Sequence, residues 1–444
     1  MKKPLLLLLL PVSLWGQVVV DTIIHLPLPP ANSFYLPELN KLYISSVNNI
    51  LVLDCATFEI VSTIPTRSRY PEVDPAYFAY NWRRGKLYTL RWYSPESIIV
   101  IDTHTDSVVA WIPFSGTRDL CYVSSTDRVY GAWRDLIVID CETDSVVRRI
   151  PPQPYQHSGA VSWDSVGNKV YVGDGWFHPR IKMVYSCVND SLLKVFDPGV
   201  DWPDVFYFSP ARRRAYYGPD GGHPGVAVLD TRRDSVIKVF DINYSSWVRG
   251  AWNGRDDKVY LSDEVVIYAI DCATDSVVSE VPLRQVLDIC WVPWSNRLYA
   301  SVYRYTDSLT YVAVLDCRND SLILTGLEVG SFPLAICADE VNQRVYVCCR
   351  GDATLYVLKD VPDGVAEERS PKPAAVSPLR VFPSPARDRV WLEGADKAAL
   401  FAPDGRRAAS LTRGKNDIRS LPRGIYFVRV AGFDSPVAKV ILSR

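Results

Sequence analysis

From residue 18 to about residue 360 the chain alternates between apolar runs of five or six residues and short polar breaks, one break every 8 to 12 residues. The runs favour Val, Ile, Leu and Tyr, and the breaks favour Asp, Asn, Thr, Ser and Gly. β-Branched and aromatic side chains suit a pleated backbone, while Asp, Asn and Gly accept turn geometry. No window of this region keeps apolar residues on the spacing of a helix face, so the pattern predicts an all-β fold.

The pattern also repeats. A basic residue, an aliphatic residue and a tyrosine recur in that order eight times, at Tyr43, Tyr88, Tyr130, Tyr171, Tyr216, Tyr260, Tyr299 and Tyr346. Their spacing averages about 43 residues, the length of a four-stranded propeller blade. Each unit opens on an apolar strand such as Leu120-Cys121-Tyr122-Val123, turns at a polar step such as Ser125-Thr126-Asp127, and enters the tyrosine strand. A third run ends in aspartate, as in Val138-Ile139-Asp140, and a tight turn leads to a last strand opening Asp-Ser-Val-Val, as at Asp106–Val109, Asp144–Val147 and Asp275–Val278. Asp and Thr side chains bond nearby backbone N–H groups, which closes such a turn between antiparallel strands.

The eighth unit runs into Val361-Pro362-Asp363-Gly364 without its last strand. Residues 21–27, Asp-Thr-Ile-Ile-His-Leu-Pro, look like the missing Asp-Ser-Val-Val segment and are expected to close the ring by joining the chain's two ends. The count therefore predicts an eight-bladed β-propeller over residues 17–361, with seven blades as the alternative. The units resemble YVTN-type propeller repeats, in which a tyrosine-valine strand leads to a V-I-D-x-x-T turn. Val170-Tyr171-Val172, Val345-Tyr346-Val347 and Ile139-Asp140-Cys141-Glu142-Thr143-Asp144 carry that resemblance. It implies an architecture and leaves the function open.

Both ends of the chain read differently. Residues 1–16, MKKPLLLLLLPVSLWG, have the charged start and short apolar core of a secretory signal peptide. No later stretch approaches the roughly 18 apolar residues of a transmembrane helix. Residues 362–377, rich in Pro, Ala and charge, read as a linker, and residues 378–444 as a small Ig-like β-sandwich. Its strands are expected at Arg380–Phe382, Val390–Glu393, Ala399–Phe401, Ile425–Val430 and Val437–Leu442. This segment resembles the C-terminal sorting domain of type IX secretion. Phe382-Pro383-Ser384-Pro385 matches that family's F-P-N-P opening, Asp404-Gly405-Arg406 its turn, and Leu421-Pro422-Arg423-Gly424-Ile425-Tyr426 its L-P-x-G-x-Y segment, before a last strand led by Lys439. The resemblance implies passage through the periplasm, partnership with the type IX machinery, and a secreted or cell-surface protein. It implies sorting roles for Phe382, Pro383, Pro385, Gly405, Leu421, Pro422, Gly424, Tyr426 and Lys439.

Charge and cysteine content narrow the chemistry. Residues 17–361 hold 32 Lys+Arg against 41 Asp+Glu, a net of −9, which offers no footprint for nucleic acid. Residues 378–444 hold 13 against 6, a net of +7, but scattered along strands. Of ten cysteines, Cys55, Cys141, Cys187, Cys272 and Cys317 share one place in the repeat, and Cys121, Cys290 and Cys337 another. Equivalent places in different units lie too far apart for disulfides, so most read as small buried apolar residues. In the pair Cys348-Cys349 one thiol is expected to be buried and one to face outward.

No His-x-His, His-Glu-x-x-His, Gly-x-Ser-x-Gly or Cys-x-x-Cys-His motif occurs, so neither a catalytic residue nor a metal or other cofactor is predicted. The favoured reading is an extracellular binding module for a glycan, peptide or protein. The alternative is an extracellular propeller enzyme, quinoprotein-like, hydrolase or lyase, working on the same face. The long loops after the tyrosine strands carry the candidate contacts Trp176, His178, His223, Tyr303 and Tyr305, whose alternative role is to cap apolar blade edges.

Overall fold

The computed structural model describes residues 18–66, 77–91, 97–114, 117–133, 135–151, 158–174, 182–197, 199–200, 203–219, 225–242, 249–263, 265–304, 308–360, 380–382, 389–401, 407–422, 424–430 and 438–442. Two compact units divide the chain, Met1–Gly364 and Val365–Arg444. Among the described residues all regular structure is strand.

The first unit holds eight four-stranded antiparallel sheets. Sheet one takes Pro30–Leu36, Lys41–Ser46, Asn49–Asp54 and Ile60–Pro65 in chain order, and sheets two to seven repeat that meander. Sheet eight takes Pro333–Asp339, Arg344–Cys349 and Thr354–Asp360, then Val18–His25 from the start of the chain. The third strands have apolar interiors, and Ile98, Ile99, Val100 and Ile101 are all fully buried. A strand shows no alternation when both faces of its sheet are covered.

Neighbouring sheets supply that cover. Tyr43, Ile50 and Val52 of sheet one pack with Leu87, Ile99 and Ile101 of sheet two. A comparable cluster fills every later junction. The last joins Tyr346, Cys348 and Leu355 of sheet eight to Leu42, Ile44 and Leu51 of sheet one, so the circuit of cores returns to its start.

The repeated tyrosine works across these junctions. Tyr43, Tyr88, Tyr130, Tyr171, Tyr216 and Tyr260 each donate a hydroxyl hydrogen bond to an aspartate of the following sheet: Asp106, Asp144, Asp190, Asp234, Asp275 and Asp320, at 2.5–2.7 Å. The basic residue two places earlier reaches the same carboxylate: Lys41 meets Asp106 at 2.6 Å, Lys169 meets Asp234 at 2.7 Å and Lys258 meets Asp320 at 2.7 Å. Each of these aspartates opens an Asp-Ser-like strand with a φ between 49° and 56°, a left-handed conformation that Asp tolerates better than most residues. Burial first, and then the bonded carboxylate, push the Tyr171 hydroxyl well above its usual ionisation range, so it remains a donor. The turn itself is closed by the other aspartate, the one ending the third strand. Asp102 accepts the N–H groups of His104 and Thr105, and Asp140 those of Glu142 and Thr143.

Two junctions depart from the rule, both beside the place where the chain ends meet. At the seventh, Asp360 takes the carboxylate's role and is paired with buried Arg297 and with Ser295. The Tyr299 hydroxyl makes no hydrogen bond there, although nearby Asp360 contributes to raising its ionisation range after burial itself. At the eighth, Phe58 stands in the left-handed turn position in place of aspartate. The Arg344 guanidinium lies over the Phe58 ring at 4.5 Å and pairs with Asp21 at 3.1 Å, while Tyr346 donates to Asp339 of its own sheet.

The closing strand corrects the sequence reading by three residues. Thr22 pairs with Val357 and Val20 with Leu358, leaving Asp21 at the bulge. In sheet three Arg148 pairs with Val138 and Val146 with Ile139, leaving Val147 at the bulge. Residues 18–21, rather than 21–24, therefore occupy the Asp-Ser-Val-Val places. Asp21 is thereby freed from the turn and meets Arg344.

All ten cysteines are free. Cys348 and Cys349 are both fully buried, contrary to the expected inward-outward split. They do face opposite ways, Cys348 into the core between sheets eight and one and Cys349 into the core between seven and eight. A sheet covered on both faces has no outward side.

The second unit is one five-stranded sheet. The expected strands Val390–Glu393 and Ala399–Phe401 are one long strand, Arg389–Phe401, whose partner Arg407–Asp417 was not anticipated. Its register jumps between Leu392 and Lys397, so an irregularity absorbs the Gly394–Asp396 stretch that resembled a break. Arg407–Asp417 is poor in β-branched residues, and pairing with its neighbour decides its conformation. Val390, Leu392, Leu400, Leu411, Ile418, Tyr426 and Val428 form the core.

The tyrosine junctions make a direct contrast. Tyr171→Phe removes a hydrogen bond to a charged acceptor and should lower stability by about 1.5–3 kcal/mol. Tyr299→Phe removes a buried hydroxyl that has no hydrogen-bond partner and should leave stability unchanged or raise it by up to about 1–3 kcal/mol. Urea denaturation of both variants checks this, and equal losses would show that the hydroxyl bonds are not what holds the junctions.

Candidate functional site

In each four-strand meander the first strand lies innermost, and the first strands of neighbouring sheets approach one another. These strands keep more partial exposure than the second and third strands: Asn32, Asp119, Tyr207 and Asp288 are half-buried and Arg249 is exposed. They line the central space of the circuit. Their polar residues interrupt otherwise apolar strands, and two of them recur at one place, Asp119 before Leu-Cys-Tyr-Val and Asp288 before Ile-Cys-Trp-Val.

Asp119 and Asp288 join neighbouring inner strands. Asp119 accepts the N–H of Leu120 beside it at 2.8 Å and that of Val161, in the next sheet, at 3.0 Å. Asp288 does the same with Ile289 at 2.9 Å and with Ile336 of sheet eight at 3.0 Å. These bonds favour the carboxylate, yet loss of hydration outweighs them and pushes both groups up to about 6.

Sheets five to seven add a mixed group. The Tyr207 ring lies against the backbone of Gly250, where a Cβ would stand 2.3 Å from Cε2, so only glycine fits that position without displacing the ring. Arg249, next in the strand, donates its Nε to the Leu287 carbonyl at 3.0 Å and lies near Asp288. Burial pushes the Cys290 thiol on the neighbouring strand up to about 12, which leaves it protonated and unreactive. Among the described residues no group of three or more His, Cys, Asp or Glu is placed to hold a metal ion.

The loop candidates Trp176, His178, His223 and Tyr305 lie outside the described residues. Tyr303 is half-buried, its ring edge-on to Phe332 at 5.0 Å and its N–H on the Gln285 carbonyl, so it joins connections of adjacent sheets. In the C-terminal unit Tyr426 is buried and donates its hydroxyl to the Pro422 carbonyl at 3.0 Å, closing the L-P-x-G-x-Y segment on itself. Leu421 packs against the core and Pro422 is exposed. Gly424 pairs with Leu442 and Lys439 with Phe427 in the last two strands, and Phe382 pairs with Trp391 along the edge strand. Pro383, Pro385 and Gly405 fall outside the described residues. The inner-strand residues lie on strands rather than loops, and their signal in the sequence is a charged residue at the head of an apolar strand.

Comparison with known proteins places the architecture. No family model matches the chain, and no curated protein matches it. Among solved structures it is similar to Sqt1 of Saccharomyces cerevisiae, a WD40 β-propeller protein, with a TM-score of 0.60 and 11% identity over 77% of this chain and 99% of that one. The repeat fold is of the propeller type. At that identity the likeness concerns fold alone, and propellers serve many functions.

The two inner aspartates give a defined pH response. Their folded-state value of about 6 lies above the ordinary aspartate range, so each favours folding at low pH, and that contribution is lost as pH rises from about 4 through 6. The loss is about 3 kcal/mol per group. Relative to the Asp119→Asn/Asp288→Asn variant, the parent should therefore lose stability between pH 4.5 and pH 7.5 in urea denaturation. A difference that stays constant across this range would show that the carboxylates titrate normally.

Proposed function

We propose that this chain is an exported eight-bladed propeller that acts outside the cell as an interaction module, delivered there by its C-terminal unit. The eight-sheet circuit and its eight inter-sheet cores support the blade count. The observation that carries the interaction reading is the difference between the two rims. At one rim lie the turns that close each sheet, with repeated aspartates that pair across the junctions. At the other, the connection between second and third strands varies from two residues after Ser46 to seven after Asp174. A fixed framework at one rim and varied connections at the other is how a repeat fold presents recognition residues. The ligand classes that suit such a rim are a glycan, a peptide or a protein.

The export reading is supported by residues 1–16 and by the four motifs of the C-terminal unit, with the type IX machinery as the partner they imply. Tyr426 gives one motif a physical reason, since its hydroxyl fixes the turn that begins at Leu421-Pro422.

Deleting residues 378–444 tests this directly. The truncated chain should keep the propeller's thermal transition, because the eight sheets and their cores close without those residues. It should accumulate in the periplasm while the full chain reaches the surface or the medium. Equal amounts of both forms outside the cell would overturn the sorting role, and loss of the thermal transition would show that the two units fold as one.

A further inference from the structure

We propose that the inner wall shared by sheets five, six and seven is a binding subsite for a neutral, hydroxyl-rich ligand, the end of a sugar chain, held by Tyr207, Arg249 and Asp288. This deepens the interaction reading above by naming a ligand class and a place. The three residues come from successive inner strands, and the packing fixes each one. Gly250 lets the Tyr207 ring lie against the strand beside it, since a Cβ there would meet Cε2 at 2.3 Å and Cζ at 2.4 Å. The Leu287 carbonyl holds Arg249 through Nε at 3.0 Å, and among the described residues its terminal amino groups make no hydrogen bond. Asp288 is held by the N–H groups of Ile289 and Ile336, at 2.9 and 3.0 Å, one on each carboxylate oxygen, which leaves a lone pair on each oxygen for another donor.

The chemistry selects the ligand. Arg249 and Asp288 together carry no net charge, so an anion meets the carboxylate's repulsion and a cation that of the guanidinium. A pair of neighbouring hydroxyls suits both: one oxygen accepts from the guanidinium fork while its proton, or its neighbour's, goes to the carboxylate. The Tyr207 ring offers an apolar flank for the C–H face of a sugar, and its hydroxyl offers a further polar contact. Few, convergent polar groups beside an aromatic surface are the usual makeup of a small-ligand site.

The test uses the purified full chain titrated with the methyl glycosides of glucose, galactose and mannose, read by calorimetry and by saturation-transfer NMR. At least one glycoside should bind saturably. Arg249→Met should weaken that binding at least about tenfold while the chain keeps a cooperative thermal transition, lowered only by the loss of the positive charge near Asp288. Gly250→Ala should weaken it as well by displacing the Tyr207 ring. Acetate and tetramethylammonium, as charged probes, should neither bind nor compete. No saturable binding by any of the glycosides, undiminished binding by Arg249→Met, or tighter binding of a charged probe would each overturn the proposal. None of these results bears on export, which the truncation measures separately.

Discussion

A buried tyrosine hydroxyl and a neighbouring Lys or Arg, meeting one aspartate of the next sheet, hold the propeller together at six of its eight junctions. The aspartate has to satisfy two demands at once. It occupies a left-handed turn that most side chains resist, and it presents a carboxylate to a donor pair in a different sheet. Apolar packing between the sheets provides most of the cohesion, but packing alone is not directional. The shared carboxylate fixes the height and angle at which each sheet meets the next.

At the seventh junction this arrangement cannot be built, because sheet eight takes its last strand from residues that arrive without the preceding turn. At the eighth, the turn of sheet one carries Phe58 in the aspartate's place. The structure replaces the missing parts with local solutions. Asp360 moves the carboxylate onto the third strand's end, where it pairs with Arg297. Phe58 replaces the carboxylate with an aromatic face beneath Arg344, a contact of cation–π type. Register follows the same logic, because a bulge at Asp21 turns that side chain toward Arg344.

Framework and recognition are separated within one repeat. The residues that recur, Tyr, Lys or Arg, and Asp, are committed to junctions, and their pairing leaves them unavailable for a ligand. The residues that differ from unit to unit are the rim connections and the heads of the inner strands. Arg249, Asp288 and Tyr207 belong to this second set, Asp288 sharing its place only with Asp119 among the acidic residues there. Only their position on consecutive strands makes them neighbours, since they span 81 residues of chain from Tyr207 to Asp288.

Sequence alone determined the features that repeat. Period, strand order and the number of tyrosine strands were legible because the same local physics acts eight times, and repetition averages away the ambiguity of any one strand. The buried, apolar role of cysteines at equivalent positions was legible for the same reason. Tertiary structure decided what depends on a second sheet. The Asp of Asp-Ser-Val-Val looked like a turn former and proved to be the partner of a tyrosine about 60 residues earlier in the chain. One thiol of Cys348-Cys349 looked outward-facing, but the neighbouring sheets cover both. The closing strand's register differs from its likeness to a motif, with Asp21 at a bulge beside Arg344. Arg407–Asp417 became a strand because Arg389–Phe401 lay alongside it. In every such case the deciding partner lies far away along the chain, where neither spacing nor propensity can reach.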